Sequence, residues 1–194
     1  GLAGGGISSI TSSPLIEHSK VISNTATVFG GAIDNYINSF PVINNSLFTG
    51  NKSLQDGGAF VNTAPSTMTF TNCTVAANYA VSNGGALFNP SSATEIFKNC
   101  IIWGNQAGTN NNLFTASGTC TATNSIIEGT GYSGTGNISQ NPDFILPVIA
   151  TSAPTISGDF RISKCSPAVN SGSNALVPVG ITTDLDANPR IINT

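Results

Sequence analysis

From Ile16 to Ala107 the chain repeats itself every 27 residues without a gap, and this one register limits the fold more than any other feature. Asn24, Asn51, Asn78 and Asn105 form one column, and His18, Asn45, Asn72 and Asn99 form another. Two columns are apolar: Val21, Phe48, Val75 and Ile102, then Ile16, Ile43, Phe70 and Phe97. A small-residue column, Ala26, Ser53, Ala80 and Ala107, keeps the same phase. It is followed by Gly30-Gly31-Ala32-Ile33, Gly57-Gly58-Ala59-Phe60 and Gly84-Gly85-Ala86-Leu87, with Asn111 to Phe114 as a decayed further copy. So many columns in phase point to a solenoid that stacks like residues on like, one coil per repeat.

The alternation inside a repeat identifies the coil as β. Met68 and Phe70 share one parity and Cys73 and Val75 the opposite one, so the phase slips at Asn72. Asn tolerates the left-handed region better than other non-glycine residues, and a one-residue slip there turns both flanking strands inward. Gly-Gly-Ala-apolar supplies a third strand, and the expected fold is all-β, a right-handed parallel β-helix solenoid with three short strands per 27-residue coil. A leucine-rich repeat also fits Phe70, Cys73, Val75 and Asn78, but Gly84 to Phe88 and Ser91 to Thr94 read as strand and turn rather than as a return segment with its own leucines. Stacked Asn side chains then hydrogen-bond along the axis, which satisfies amides that are costly to bury alone. Cys73 and Cys100 fall in one inward column. Parallel side chains there favour buried thiols over a disulfide, whose dihedral is hard to reach from a ladder.

Composition excludes several functions. Charged residues are 8% of the chain, the net charge is −3 and Lys plus Arg number 6, so no basic patch awaits nucleic acid. No apolar run approaches the roughly 20 residues of a membrane-spanning helix. Cys73, Cys100, Cys120 and Cys165 lack zinc-ligand spacing, and His18, the lone histidine, has no nucleophile beside it.

The repeat weakens after Asn124, although Ile126-Ile127 keep the apolar pair. Residues 1–127 are therefore read as the coils, and 128–194, richer in Gly, Ser and Pro loops, as an irregular continuation or cap of the same solenoid. Phe144 to Leu146, Phe160 to Ile162 and Ile191-Ile192 are its strand-like runs. The chain starts inside a coil and is read as a piece of a longer protein.

Gly-Gly-Ala-apolar at 30 to 33, 57 to 60 and 84 to 87, with Phe48-x-x-Asn51, resembles the repeats of polymorphic outer-membrane adhesins; Val75 and Ile102 stand in place of the Phe in the following copies. In the tail, Asn141-Pro142-Asp143-Phe144, Asp159-Phe160-Arg161-Ile162, Cys165-Ser166-Pro167-Ala168-Val169-Asn170-Ser171-Gly172 and Thr183-Asp184-Leu185-Asp186-Ala187-Asn188-Pro189-Arg190 resemble the C-terminal hallmarks of choice-of-anchor Q proteins. That resemblance implies a secreted bacterial β-helix of pectin-lyase-like topology, exported and held at the cell surface.

Pectin-lyase-like enzymes use acidic clusters, often with Ca²⁺, but fold alone does not transfer a site. Glu17, Asp34, Asp56, Glu95, Glu128, Asp143, Asp159, Asp184 and Asp186 share no column, which counts against catalysis. Asp184, Asp186 and Asn188 have the oxygen-rich start of a Ca²⁺ loop, although Pro189 stands where a glycine is wanted; the alternative is a turn in which Asp caps its own backbone. Arg161 and Lys164 either face Asp159 or Asp143 in a groove or are solvated surface charges. An ice-binding face would need Thr coil after coil, yet Thr69, Thr71 and Thr74 align with Ile96, Lys98 and Ile101. The expected function is a non-enzymatic extracellular module at the cell surface, presenting Asn, Ser and Thr to a glycan or a cell-surface protein. The alternatives are a polysaccharide lyase or hydrolase with its site partly elsewhere, and a structural spacer or filament unit that self-associates end to end.

Overall fold

Each repeat closes one coil of a parallel β-solenoid in the computed structural model, which describes residues 2–109, 112–129 and 132–191. Asn111 and Ile192, which the sequence reading includes, lie outside the described residues. The first sheet stacks Ile7–Ile10, Ile33–Tyr36, Phe60–Asn62, Leu87–Asn89 and Leu113–Thr115. The second stacks Leu15–Glu17, Val42–Asn44, Thr67–Thr71, Thr94–Lys98 and Thr119–Thr123; the third stacks Lys20–Ile22, Leu47–Thr49, Thr74–Ala76, Ile101–Trp103 and Ile126–Ile127. The expected strands are these. A fourth parallel sheet joins them, built from Thr25–Ala26, Lys52–Ser53, Tyr79–Asn83 and Gln106–Thr109, just after the first Asn column. No α-helix occurs among the described residues, which leaves the leucine-rich alternative without its return helix.

The corners follow from backbone chemistry. His18, Asn45, Asn72, Asn99 and Asn124 have φ of 47°, 46°, 55°, 51° and 49°, so the phase slip is a left-handed bend between the second and third sheets. At the Gly-Gly corner the two glycines serve different needs. Gly57 has φ +68°, whereas a Cβ on Gly58 would sit 2.2 Å from the Gly85 carbonyl oxygen of the next coil.

Inside, Ile43, Phe48, Phe60, Met68, Phe70, Val75, Leu87, Phe97 and Ile102 are buried. Phe70 and Phe97 stack at 4.7 Å between centroids, and Phe60 packs between Phe48 and Phe70 at 4.8 and 4.9 Å. Each such ring contributes on the order of 2–3 kcal/mol through burial. Cys73 and Cys100 are buried free thiols in the same stack.

The Asn24 column forms a continuous ladder. Asn51 donates through Nδ2 to Asn78 Oδ1 at 2.9 Å, and Asn78 does the same to Asn105 at 2.9 Å. The backbone N–H groups of Asn51 and Asn78 reach the same oxygens at 3.0 and 3.1 Å. One amide per coil therefore satisfies both a side chain and a corner N–H. A second Asn column, not anticipated from the sequence, stands at the end of the first sheet: Asn35 Nδ2 donates to Asn62 Oδ1 at 2.8 Å, while Asn62 and Asn89 both donate to Glu95.

The last coils are shorter, since Ile101 faces Ile126 and Thr94 faces Thr119, two residues short of the repeat. Residues 132–138 then cover that end: Tyr132 packs on the core, Ser133 bridges Thr121 and Ile138 bridges Ile126. From Asn141 the tail no longer stacks. Phe144–Leu146 and Asp159–Ile162 pair antiparallel, and the chain returns along the outer side of the third sheet, where the Thr155 N–H donates to the Gly50 carbonyl at 3.1 Å.

Candidate functional site

The returning tail and the left-handed Asn column enclose a groove. Its two adjoining cavities, of about 470 and 460 Å³, share Asn72, Asn99, Ile101, Ile162 and Arg190. Because a left-handed corner leaves its side chain outside the apolar core, this Asn column behaves unlike the inner ladder. Only one rung joins neighbouring coils, Asn99 Nδ2 to Asn72 Oδ1 at 3.2 Å. Its other amides hold the tail: Asn99 Oδ1 accepts from the Ser173 N–H and Asn99 Nδ2 donates to the Ser173 carbonyl, both at 2.9 Å. Asn45 Nδ2 donates to the Thr183 carbonyl at 3.0 Å, and its Oδ1 accepts from the Arg190 guanidinium. His18, first of the column, is exposed.

Two donors in the groove stay unsatisfied, Asn72 Nδ2 and Arg190 Nε, both buried atoms. Burial lowers the Arg190 pKa, and the Asp184 carboxylate opposes that shift. The cavity around Asn99, Asn124, Asn170, Ser171, Ser173 and Asn174 is lined by amides, hydroxyls, apolar groups and the Arg190 guanidinium, with no carboxylate. Asp184 and Asp186 line the neighbouring cavity, and Asp186 also lines a further one of about 410 Å³ with Lys20, Asp159 and Arg161.

The Asp184 to Asn188 segment forms a closed turn. Asp184 Oδ1 accepts from the N–H groups of Asp186 and Asn188, both at 2.9 Å, and Asn188 Nδ2 approaches Asp184 Oδ2 at 3.2 Å. Burial would raise the Asp184 pKa, but these donors hold it below the ordinary value. The Asn188 amide thus turns a donor, not an oxygen, toward the carboxylate. Among the described residues no three His, Cys, Asp or Glu side chains form a group able to hold a metal ion.

Arg161 faces Asp159, its neighbour two residues away on the same strand, with Nε to Oδ1 at 2.9 Å. The pair is solvent-exposed, and the guanidinium's hydrogen bonds hold Asp159 at about 2. Asp143 accepts from the Ser163 hydroxyl at 2.7 Å, and Lys164 enters no ion pair among the described residues.

Most other carboxylates serve as structural acceptors. Glu17 takes Asn44 Nδ2 at 2.8 Å, Asp56 takes Asn83 Nδ2 at 2.8 Å and Glu128 takes the Gly104 N–H at 2.8 Å. Glu95 lies wholly inside the solenoid against Asn62 and Asn89. Of the acids that share a cavity among the described residues, Asp184 is held by its own turn and Asp159 by Arg161. The Asn35, Asn62 and Asn89 column that meets Glu95 is visible in the repeat; the tail contacts of Asn45 and Asn99 have no sequence signal, because the tail has no period. Comparison with protein-family models, with curated proteins and with solved structures finds no match for this chain.

Proposed function

We propose that this chain is a non-enzymatic, cell-surface or secreted β-solenoid module that binds glycans in the groove between the Asn column and the tail. The observation that carries the reading is the lining of that groove: Asn72, Asn99, Asn124, Asn170, Ser173 and Asn174 offer amide and hydroxyl groups, with Ile101 and Ile162 as apolar floor. Amides give a sugar hydroxyl both a donor and an acceptor, and the apolar patches suit the C–H faces of a pyranose. The structural use of the carboxylates supports binding over hydrolysis or elimination. The tail motifs shared with choice-of-anchor Q proteins support the extracellular setting. Single sites of this kind bind modestly, so several copies on one surface would supply avidity.

A glycan array probed with the chain displayed multivalently tests the reading, followed by the Asn124→Ala and Asn174→Ala variants. Binding that falls with either substitution supports the groove; an array without hits, or hits indifferent to both substitutions, overturns it.

A further inference from the structure

A second pocket lies on the outer face of the first sheet, away from the groove. In Ile33–Tyr36 the inward residues Ile33 and Asn35 are fully buried, which by strand alternation places Asp34 and Tyr36 outside. Asp34 stands beside Val61 of the next coil. Together with Phe29, Thr63 and Pro90 these residues enclose a cavity of about 280 Å³, below the roughly 300–1,000 Å³ of drug-sized sites and suited to a small head group.

Asp34 is 7% exposed, yet its carboxylate accepts no hydrogen bond and meets no cation among the described residues. The other carboxylate of comparable burial among the described residues, Glu95, has amide donors. A carboxylate with so little exposed surface and no protein partner is left to water or to a cation in the pocket. We propose that this pocket binds an alkylammonium group, with Asp34 as its counter-ion and Phe29 and Tyr36 as its aromatic walls. The chemistry selects that class. A sugar would bring several hydroxyls to a pocket whose walls are mainly Phe29, Val61, Pro90 and an aromatic ring, leaving them unpaired. A metal ion would find a single carboxylate and no second acidic ligand. An alkylammonium places its charge on Asp34 and its carbon atoms on the apolar walls, and aromatic rings attract such cations further. Burial lifts the Asp34 pKa to about 6, so the carboxylate remains largely ionised at neutral pH and available to a cation.

The head group has two sources, a lysine side chain of a partner or a free quaternary amine. The test is an NMR titration of the ¹⁵N-labelled chain with choline, Nα-acetyl-lysine methylamide, the neutral choline isostere 3,3-dimethylbutan-1-ol, and methyl β-glucoside. Saturable shifts of the Asp34, Tyr36 and Val61 amides are expected with an amine, about tenfold weaker with the neutral alcohol and in Asp34→Asn. Preference for choline identifies a free quaternary amine, and preference for the lysine derivative identifies a protein partner. Tyr36→Ala keeps the charge, removes the ring and is expected to weaken binding by a similar factor, which preserves the test if Asp34→Asn fails to fold. The proposal is overturned if neither amine saturates, if the alcohol binds equally, if both variants bind as the parent does, or if the glucoside alone saturates. It does not depend on the glycan groove, whose variants leave this pocket untouched.

Discussion

Asn62 Nδ2 lies 2.6 Å from Glu95 Oε1 at the corner between the first and second sheets, where neither residue has any exposed surface. Asn89 Nδ2 adds bonds of 3.0 and 3.1 Å to the two carboxyl oxygens. Burial outweighs these donors and raises the Glu95 pKa to about 7. The folded chain therefore holds this proton more tightly than the unfolded chain does. Stability is greatest below the unfolded value of 4.5, falls as pH rises toward 7 and is level above it. The expected loss between pH 5 and pH 8 is about 2–3 kcal/mol from this group. Urea denaturation of the parent and of Glu95→Gln at both pH values checks it; the difference between the proteins isolates Glu95 from Asp34, whose raised pKa acts with the same sign.

Within the inner ladder, Asn78→Ala removes the oxygen that serves the Asn51 N–H and Nδ2, and the amide that reaches the Phe48 and Ala76 carbonyls. A cost of about 2–4 kcal/mol is expected, since buried partners are left unpaired on both sides. Asn24→Ala sits at the first rung, half-buried, and should cost about 1 kcal/mol or less. Equal losses for the two in chemical denaturation would contradict the ladder's role.

Asn99→Ala cuts the two-point clasp on Ser173. The tail from about Ser163 to Leu176 is expected to exchange amide hydrogens faster and to be cleaved sooner by protease, while the coils keep their melting temperature within about 2 °C. Hydrogen exchange read by mass spectrometry separates the two regions.

The glycines of the repeat are expected to differ by mechanism. In Gly58→Ala the new Cβ meets the Gly85 carbonyl oxygen at 2.2 Å and Tyr79 backbone at 2.7 Å, so adjacent coils must part. A loss at or beyond the roughly 3 kcal/mol upper end of overpacking follows. Gly104 has φ +68° and nothing within 4 Å of a Cβ, so Gly104→Ala should cost only the 1–2 kcal/mol of the left-handed conformation. Thermal denaturation of the pair compares the two directly.

The sequence by itself determined the solenoid, its period, its inward Phe and Ile columns, the left-handed corner at Asn72 and the ladder through Asn78. These features are legible because each coil meets only its neighbours, so a contact in space becomes a fixed offset along the chain. The Asn35, Asn62 and Asn89 column was equally periodic and could have been read the same way. What only the tertiary structure decided is where the aperiodic parts go. Asn45 meets Thr183 across 138 residues and Asn99 meets Ser173 across 74, and no offset announces either contact. Thus two Asn columns that look alike as sequence divide their work. One points inward and pairs from coil to coil; the other lies at a left-handed corner, outside the apolar core, where its amides remain free to hold the tail and line the groove. The environments of Glu95 and Asp34 were hidden for a related reason. A single carboxylate within a strand shows neither which face it takes nor what its neighbouring coils place around it, and only the folded stack settles that one has two amide donors and the other has none.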